Sequence, residues 1–140
     1  MAFSLTMLPP LGVSLYYQDG TWLPFTEGFI VILVTGLAVF VIAGKEKPAL
    51  RLRDGFLIVA MFWVVLSAAA AIPLLVAGRP DLSTTDALFE AVSGLTTTGA
   101  TILINLDTYP RSILYYRQQL QWLGGMGIIV LAVAVLPMLG

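Results

Sequence analysis

From residue 56 to residue 77 the sequence runs for 22 residues without a charge. As a helix that stretch is about 33 Å long, enough to cross the ~30 Å hydrocarbon core of a bilayer. A second uncharged run occupies 118–140, and a third apolar stretch covers 28–44, which Phe25 and Thr26 can extend past Glu27. In hydrocarbon every backbone N–H and C=O must find its partner inside the protein, so runs of this kind fold as helices. Composition agrees, with 59% hydrophobic and 11% charged residues against about 25% charged in a soluble domain. The first 17 residues are also apolar, but they are short for a span and Pro9 and Pro10 interrupt them. They carry neither the basic start nor the small-residue cleavage site of a signal peptide, and they read as a further helix.

The charges orient these helices. Lys45, Lys47, Arg51 and Arg53 crowd one short loop, which the positive-inside rule places in the cytoplasm. The 18–24 loop and the 82–107 segment then face outward, as do Arg79, Arg111 and Arg117, which run against the rule. Trp22, Tyr109, Tyr115, Tyr116 and Trp122 fall near the expected membrane boundaries, as an aromatic belt does. A net charge of −1 with no dense basic face argues against a nucleic-acid binder. These 140 residues contain no Cys and no His, which excludes disulfides, thiolate metal sites, histidine-ligated haem and Ser-His-Asp chemistry here. No paired acids at hydrolytic spacing and no phosphate-binding glycine loop occur, so no enzyme and no cofactor are expected.

The segment 82–107 is neither a plain loop nor a span. Ser83, Thr84, Thr85 and Asp86 form a helix start, a hydroxyl cap with an acid three residues on. Leu88, Phe89, Val92 and Leu95 follow at helical spacing. The resulting helix is about 16 Å long, half a membrane. It leads into Thr96, Thr97, Thr98, Gly99, Ala100 and Thr101, a run that disfavours helix through β-branching and glycine. Half a helix followed by extended polar backbone, between two full spans, is a re-entrant pattern. Such backbone is tolerated at membrane depth only inside protein or along a water-filled path. A dehydrated cation needs carbonyl and hydroxyl oxygens in place of its water, and the negative C-terminal end of a helix favours it there. Gly99 allows the backbone to turn its carbonyls toward that path.

The stretch from Asp86 through Glu90, Ser93 and Gly94 to Thr101 resembles the first pore segment of Trk-type potassium-uptake subunits, in the Trk/Ktr/HKT superfamily. Tyr116-Arg117-Gln118, Gln121-Trp122 and Gly124-Gly125-Met126-Gly127 resemble the helix that follows it, and Arg53-Asp54-Gly55-Phe56 the start of the preceding span. The resemblance implies an all-α integral membrane fold: two N-terminal transmembrane helices, then one span–pore helix–span unit with a re-entrant filter loop. Residues 1–50 form the front helices and basic loop. Residues 51–140 form the pore unit, with spans at 55–77 and 112–140, pore helix 83–95 and filter 96–101. It implies potassium uptake across the cell inner membrane, with three further filter strands supplied by repeats beyond this sequence. Thr96, Thr97, Thr98, Gly99 and Ala100 form the filter strand, and potassium meets Thr97, Thr98 and Gly99. It also implies a homodimer of the full-length chain and a cytoplasmic nucleotide-binding regulatory subunit as partner.

Several residues carry two readings. Glu90 is either an ion-attracting site or a structural partner of Arg117; pairing is favoured, and charge reversal at both positions is expected to rescue either single reversal. Gly124, Gly125 and Gly127 are a hinge or a packing surface; packing is favoured, with Gly124 and Gly125 against the pore helix where no Cβ fits. Asp86 is a cap and dipole partner, and Asp107 sits in the outer loop, where gathering cations is a second role. Three other functions compete: a membrane scaffold without transport, four copies building one small channel, and proton-coupled symport through Asp86 or Glu90.

Overall fold

The computed structural model describes residues 2–42, 52–78 and 81–139. Lys45, Lys47, Arg51 and Arg79 lie outside the described residues. A 3-10 segment, Ala2–Met7, leads into α1 (Leu8–Tyr17), followed by α2 (Trp22–Ile42), α3 (Leu52–Val76), α4 (Thr84–Leu95) and α5 (Arg111–Leu139). Among the described residues, two helical stretches, Trp22–Ile42 and Val59–Val76 of α3, are long and apolar enough to cross a bilayer.

Proline positions set the helix boundaries that differ from expectation. Pro9 and Pro10 open α1 rather than break it, because the first turn of a helix needs no N–H donors. For the same reason Pro24 sits in the first turn of α2, which begins at Trp22 inside the stretch expected as a loop. α1 is a 10-residue helix, about 15 Å and shorter than a bilayer core. Arg53 falls within the first turn of α3 rather than in the preceding loop. α3 ends before Gly78, whose φ of +57° is easily adopted only without a Cβ.

The helices pack around one core. α4 lies between α3 and α5, α1 contacts α2 and α5, and α2 contacts α3 and the 3-10 segment. Phe25 (α2), Ala70, Ala71 and Leu74 (α3), Ala87, Ala91 and Leu95 (α4), and Ile113, Tyr116 and Leu120 (α5) are all buried. Tyr116 was expected at a membrane boundary, but it fills the centre of this core. Its ring meets Phe25 edge-on at 5.4 Å between centroids, and its hydroxyl donates to the Ala70 carbonyl at 2.9 Å. That bond satisfies the phenol's buried polar end. Trp22 and Trp122 remain exposed.

The front helices are tied to α5 by one carboxylate. Asp19, in the α1–α2 turn, accepts from the Ser112 amide at 2.9 Å, from the Ser14 hydroxyl at 2.6 Å and from the Thr21 hydroxyl at 2.7 Å. Thr21 and Ser112 hydroxyls also bond to each other. Ser112 is in the first turn of α5, preceded by Pro110, which has no side-chain oxygen to cap it. Asp19 therefore caps α5 from 93 residues away. Burial alone would raise the Asp19 pKa, but hydrogen bonds from Ser14, Ser112 and Thr21 outweigh it and hold the value at about 2. Arg111 adds a second tie, its guanidinium 4.7 Å from the centre of the Tyr17 ring.

Candidate ion-filter segment

α4 begins where the sequence places its start. Ser83 Oγ accepts from the Asp86 amide at 3.2 Å and Asp86 accepts from the Ser83 amide at 3.2 Å, a complete capping box. One face of the helix, with Ala87, Glu90, Ala91, Gly94 and Leu95, is buried. At the other end, Leu95 packs beside Gly124, 13 residues into α5. That offset is about 20 Å of helix, so α4 ends deep in the bundle, well below the N-terminus of α5.

The chain leaves α4 by a reversal. The Thr96 amide still donates to Val92 O at 2.8 Å and the Thr97 amide to Gly94 O at 3.0 Å. Thr97 then takes φ +59° and Gly99 φ +72°. For glycine this conformation is easy; for a β-branched threonine it costs of order 1–3 kcal/mol and persists only under strong local constraint. Such strain clusters where function needs a particular backbone. The Thr96 and Thr98 hydroxyls bond to each other at 2.8 Å. Residues 96–100 are exposed in this chain. Among the described residues, the hydrogen bonds of this stretch leave the carbonyls of Thr97, Thr98 and Gly99 without a donor. Ala100 differs, because its carbonyl accepts from Ser93 Oγ at 2.6 Å.

Glu90 anchors the segment from behind. One oxygen, Oε2, accepts from Arg117 Nε at 2.8 Å, and both side chains are nearly fully buried. The other, Oε1, accepts from the Thr101 hydroxyl at 2.5 Å and the Ile102 amide at 2.8 Å. Glu90 thus joins α4, the returning strand and α5, a wider role than a pair with Arg117 alone. The geometry also alters the double-reversal expectation. An arginine at 90 has no acceptor for Thr101 or Ile102, so exchanging the two charges cannot rebuild the site.

The structure separates the three α5 glycines. A Cβ on Gly124 would lie 2.0 Å from Leu95 O and 2.7 Å from Leu95 C. On Gly125 the nearest atom is Thr97 Cγ2 at 3.8 Å, and on Gly127 it is Trp63 at 3.6 Å, both ordinary contacts. The expected lack of room therefore applies to Gly124 and not to Gly125. Gly94 is a fourth close approach, its Cβ position 3.0 Å from Leu120 Cβ. Asp86 is spent in the capping box, and Asp107 lies in an exposed 3-10 turn, Leu106–Thr108. Sequence reasoning missed Asp19, whose partners are remote in the chain, and the bonds of Ser93 and Thr101. A hydroxyl on the buried face of a short helix, one turn after Glu90, was the available signal for Ser93.

Residues 24–140 match the model of a family described as TrkH, cation transport protein. The chain is 54% identical over 138 residues to the Trk system potassium uptake protein TrkH of Vibrio parahaemolyticus, covering 99% of this chain and 28% of that protein. It is 54% identical over all 140 residues to TrkH of Halomonas elongata, covering 29% of it. Identity to TrkG of Escherichia coli is 46% over 138 residues, again 28% of that protein. The crystal structure of the potassium transporter TrkH from Vibrio parahaemolyticus superposes with a TM-score of 0.92 at 54% identity, over 97% of this chain and 29% of that one. The chain thus spans under a third of the length of the relatives it matches.

Proposed function

Since the chain belongs to the TrkH family of cation transport proteins, we propose that it supplies one of four filter strands of a potassium-uptake pore in the cell inner membrane. In this reading α3, α4 and α5 are a span–pore helix–span unit, and the 96–101 backbone is its re-entrant filter. The observation that carries it is the set of unbonded carbonyls at Thr97, Thr98 and Gly99, displayed at the C-terminus of a half-length helix that ends deep in the bundle. A potassium ion exchanges water for these oxygens, and the partial negative charge of the α4 C-terminus favours it. The named relatives are potassium uptake proteins, which favours transport over a scaffold or an enzyme.

The other three strands belong to the same polypeptide, in keeping with relatives of which this chain covers 28–29%. The basic residues Lys45, Lys47, Arg51 and Arg53 put their end of the helices on the cytoplasmic side, where a nucleotide-binding regulatory subunit is the expected partner, and the full-length chain is a homodimer. No cofactor is required beyond the transported ion. Proton coupling finds no support in this segment, since Asp86 is held in its capping box and Glu90 by three donors. Gly99→Ser in the full-length protein tests the reading. Comparing potassium with sodium uptake, loss of flux or of the potassium preference is expected, because a side chain at φ +72° disturbs the carbonyls on either side. Unchanged uptake and preference would favour the scaffold reading.

A further inference from the structure

We propose that Ser93 is a positioning residue that sets where the ion-facing carbonyls end; the proposal rests on the filter reading above. Ser93 lies on the buried side of α4, 5% exposed. Its carbonyl accepts from the Gly99 amide at 3.3 Å, and its hydroxyl donates to the Ala100 carbonyl at 2.6 Å. These two bonds bracket the most pliable point of the segment, glycine at φ +72°. With both flanks held, the Gly99–Ala100 backbone keeps one orientation.

The consequence is directional. The Ala100 carbonyl is turned onto α4 and away from the ion path, so the liganding row stops at Gly99. Ala100 therefore belongs to the strand but stays outside the Thr97–Gly99 ion-contact set. A serine inside a helix commonly bonds back to the carbonyl four residues earlier; here the hydroxyl crosses to the returning strand instead. One turn earlier on the same helix, Glu90 holds Thr101 and Ile102. Ser93 and Glu90 together fix residues 99–102 against α4, while the Thr96 and Thr98 hydroxyls bond to each other.

Selectivity among cations of like charge depends on the number, placement and field of the coordinating oxygens, so this brace bears on preference rather than on assembly. The test is the potassium-to-sodium uptake ratio of the full-length protein carrying Ser93→Ala. Losing one buried hydrogen bond should lower that ratio about two- to tenfold. As a ratio, it is independent of how much protein reaches the membrane. Ser93→Thr keeps the donor and should retain more of the preference than Ser93→Ala. A parent-like ratio in Ser93→Ala, measured while Gly99→Ser in the same assay loses preference or flux, overturns the role of Ser93 alone. If Gly99→Ser is parent-like as well, the filter reading falls and this proposal with it.

Discussion

Replacing Gly124 by alanine adds a single methyl group, and the structure says where it goes. The new Cβ would sit 2.0 Å from the Leu95 carbonyl oxygen and within 3.0 Å of two further backbone atoms of that residue. Contacts of this kind below 3.0 Å essentially do not occur, so α4 and α5 must separate by at least about 1 Å. No side chain can rotate away to relieve the clash, because every atom involved is main chain. Overpacking of a tight core costs typically ~1–3 kcal/mol, and occasionally more. Alanine regains up to ~1 kcal/mol over glycine in helix propensity, so from the upper end of that range, where a main-chain clash at 2.0 Å belongs, a net loss of roughly 2 kcal/mol remains. The displacement falls on Leu95, the last residue of α4, so potassium uptake should drop along with stability. Gly125→Ala and Gly127→Ala meet nothing closer than 3.6 Å and should be neutral or slightly stabilising. Thermal unfolding of the detergent-purified full-length proteins, followed by size-exclusion recovery, measures the difference. A Gly124→Ala protein as stable and active as its parent, or equal losses at all three glycines, would refute the packing argument.

Two further outcomes are expected. Arg117→Met leaves the Glu90 carboxylate buried without its cation, a loss of roughly 3–5 kcal/mol; the Glu90→Arg/Arg117→Glu double variant should recover little of it, whereas recovery of most would show that Thr101 and Ile102 do not depend on Glu90. Asp19→Ala removes the cap of α5 and should cost about 0.5–2 kcal/mol at neutral pH. Because the Asp19 pKa is depressed to about 2, its contribution is complete above pH ~4 and fades as pH falls toward ~2. The gap between parent and Asp19→Ala in thermal stability should therefore narrow across that window, and a gap that is constant with pH would contradict the charge-based cap.

Local rules made α4 readable in advance: a serine–aspartate capping box, apolar spacing at helical period, then a threonine–glycine run that cannot continue the helix. The pairing of Glu90 with Arg117 was accessible for a related reason, since each is a charge in an apolar neighbourhood that needs a partner. The details that shape the segment were not local. Asp19 meets Ser112 across 93 residues, and no periodicity marks such a contact. A left-handed φ at Thr97 runs against the preference of β-branched residues, so its cause is tertiary: the return of the strand to Ser93 and Glu90. Proline misled the reading at both front helices, because its signal for a break is the same as its signal for a first turn. Tyr116 likewise has the amphipathic character of a boundary residue, but the Ala70 carbonyl on α3 gives its hydroxyl a partner in the core.

On the proposed function, the Thr97, Thr98 and Gly99 carbonyls bind the transported ion. The most direct measurement is anomalous diffraction from crystals of the full-length protein grown in rubidium or thallium in place of potassium. A peak in coordination distance of those three carbonyls, with the Ala100 carbonyl still bonded to Ser93, is the predicted result. Strong peaks elsewhere along the pathway and none beside residues 97–99 would contradict it.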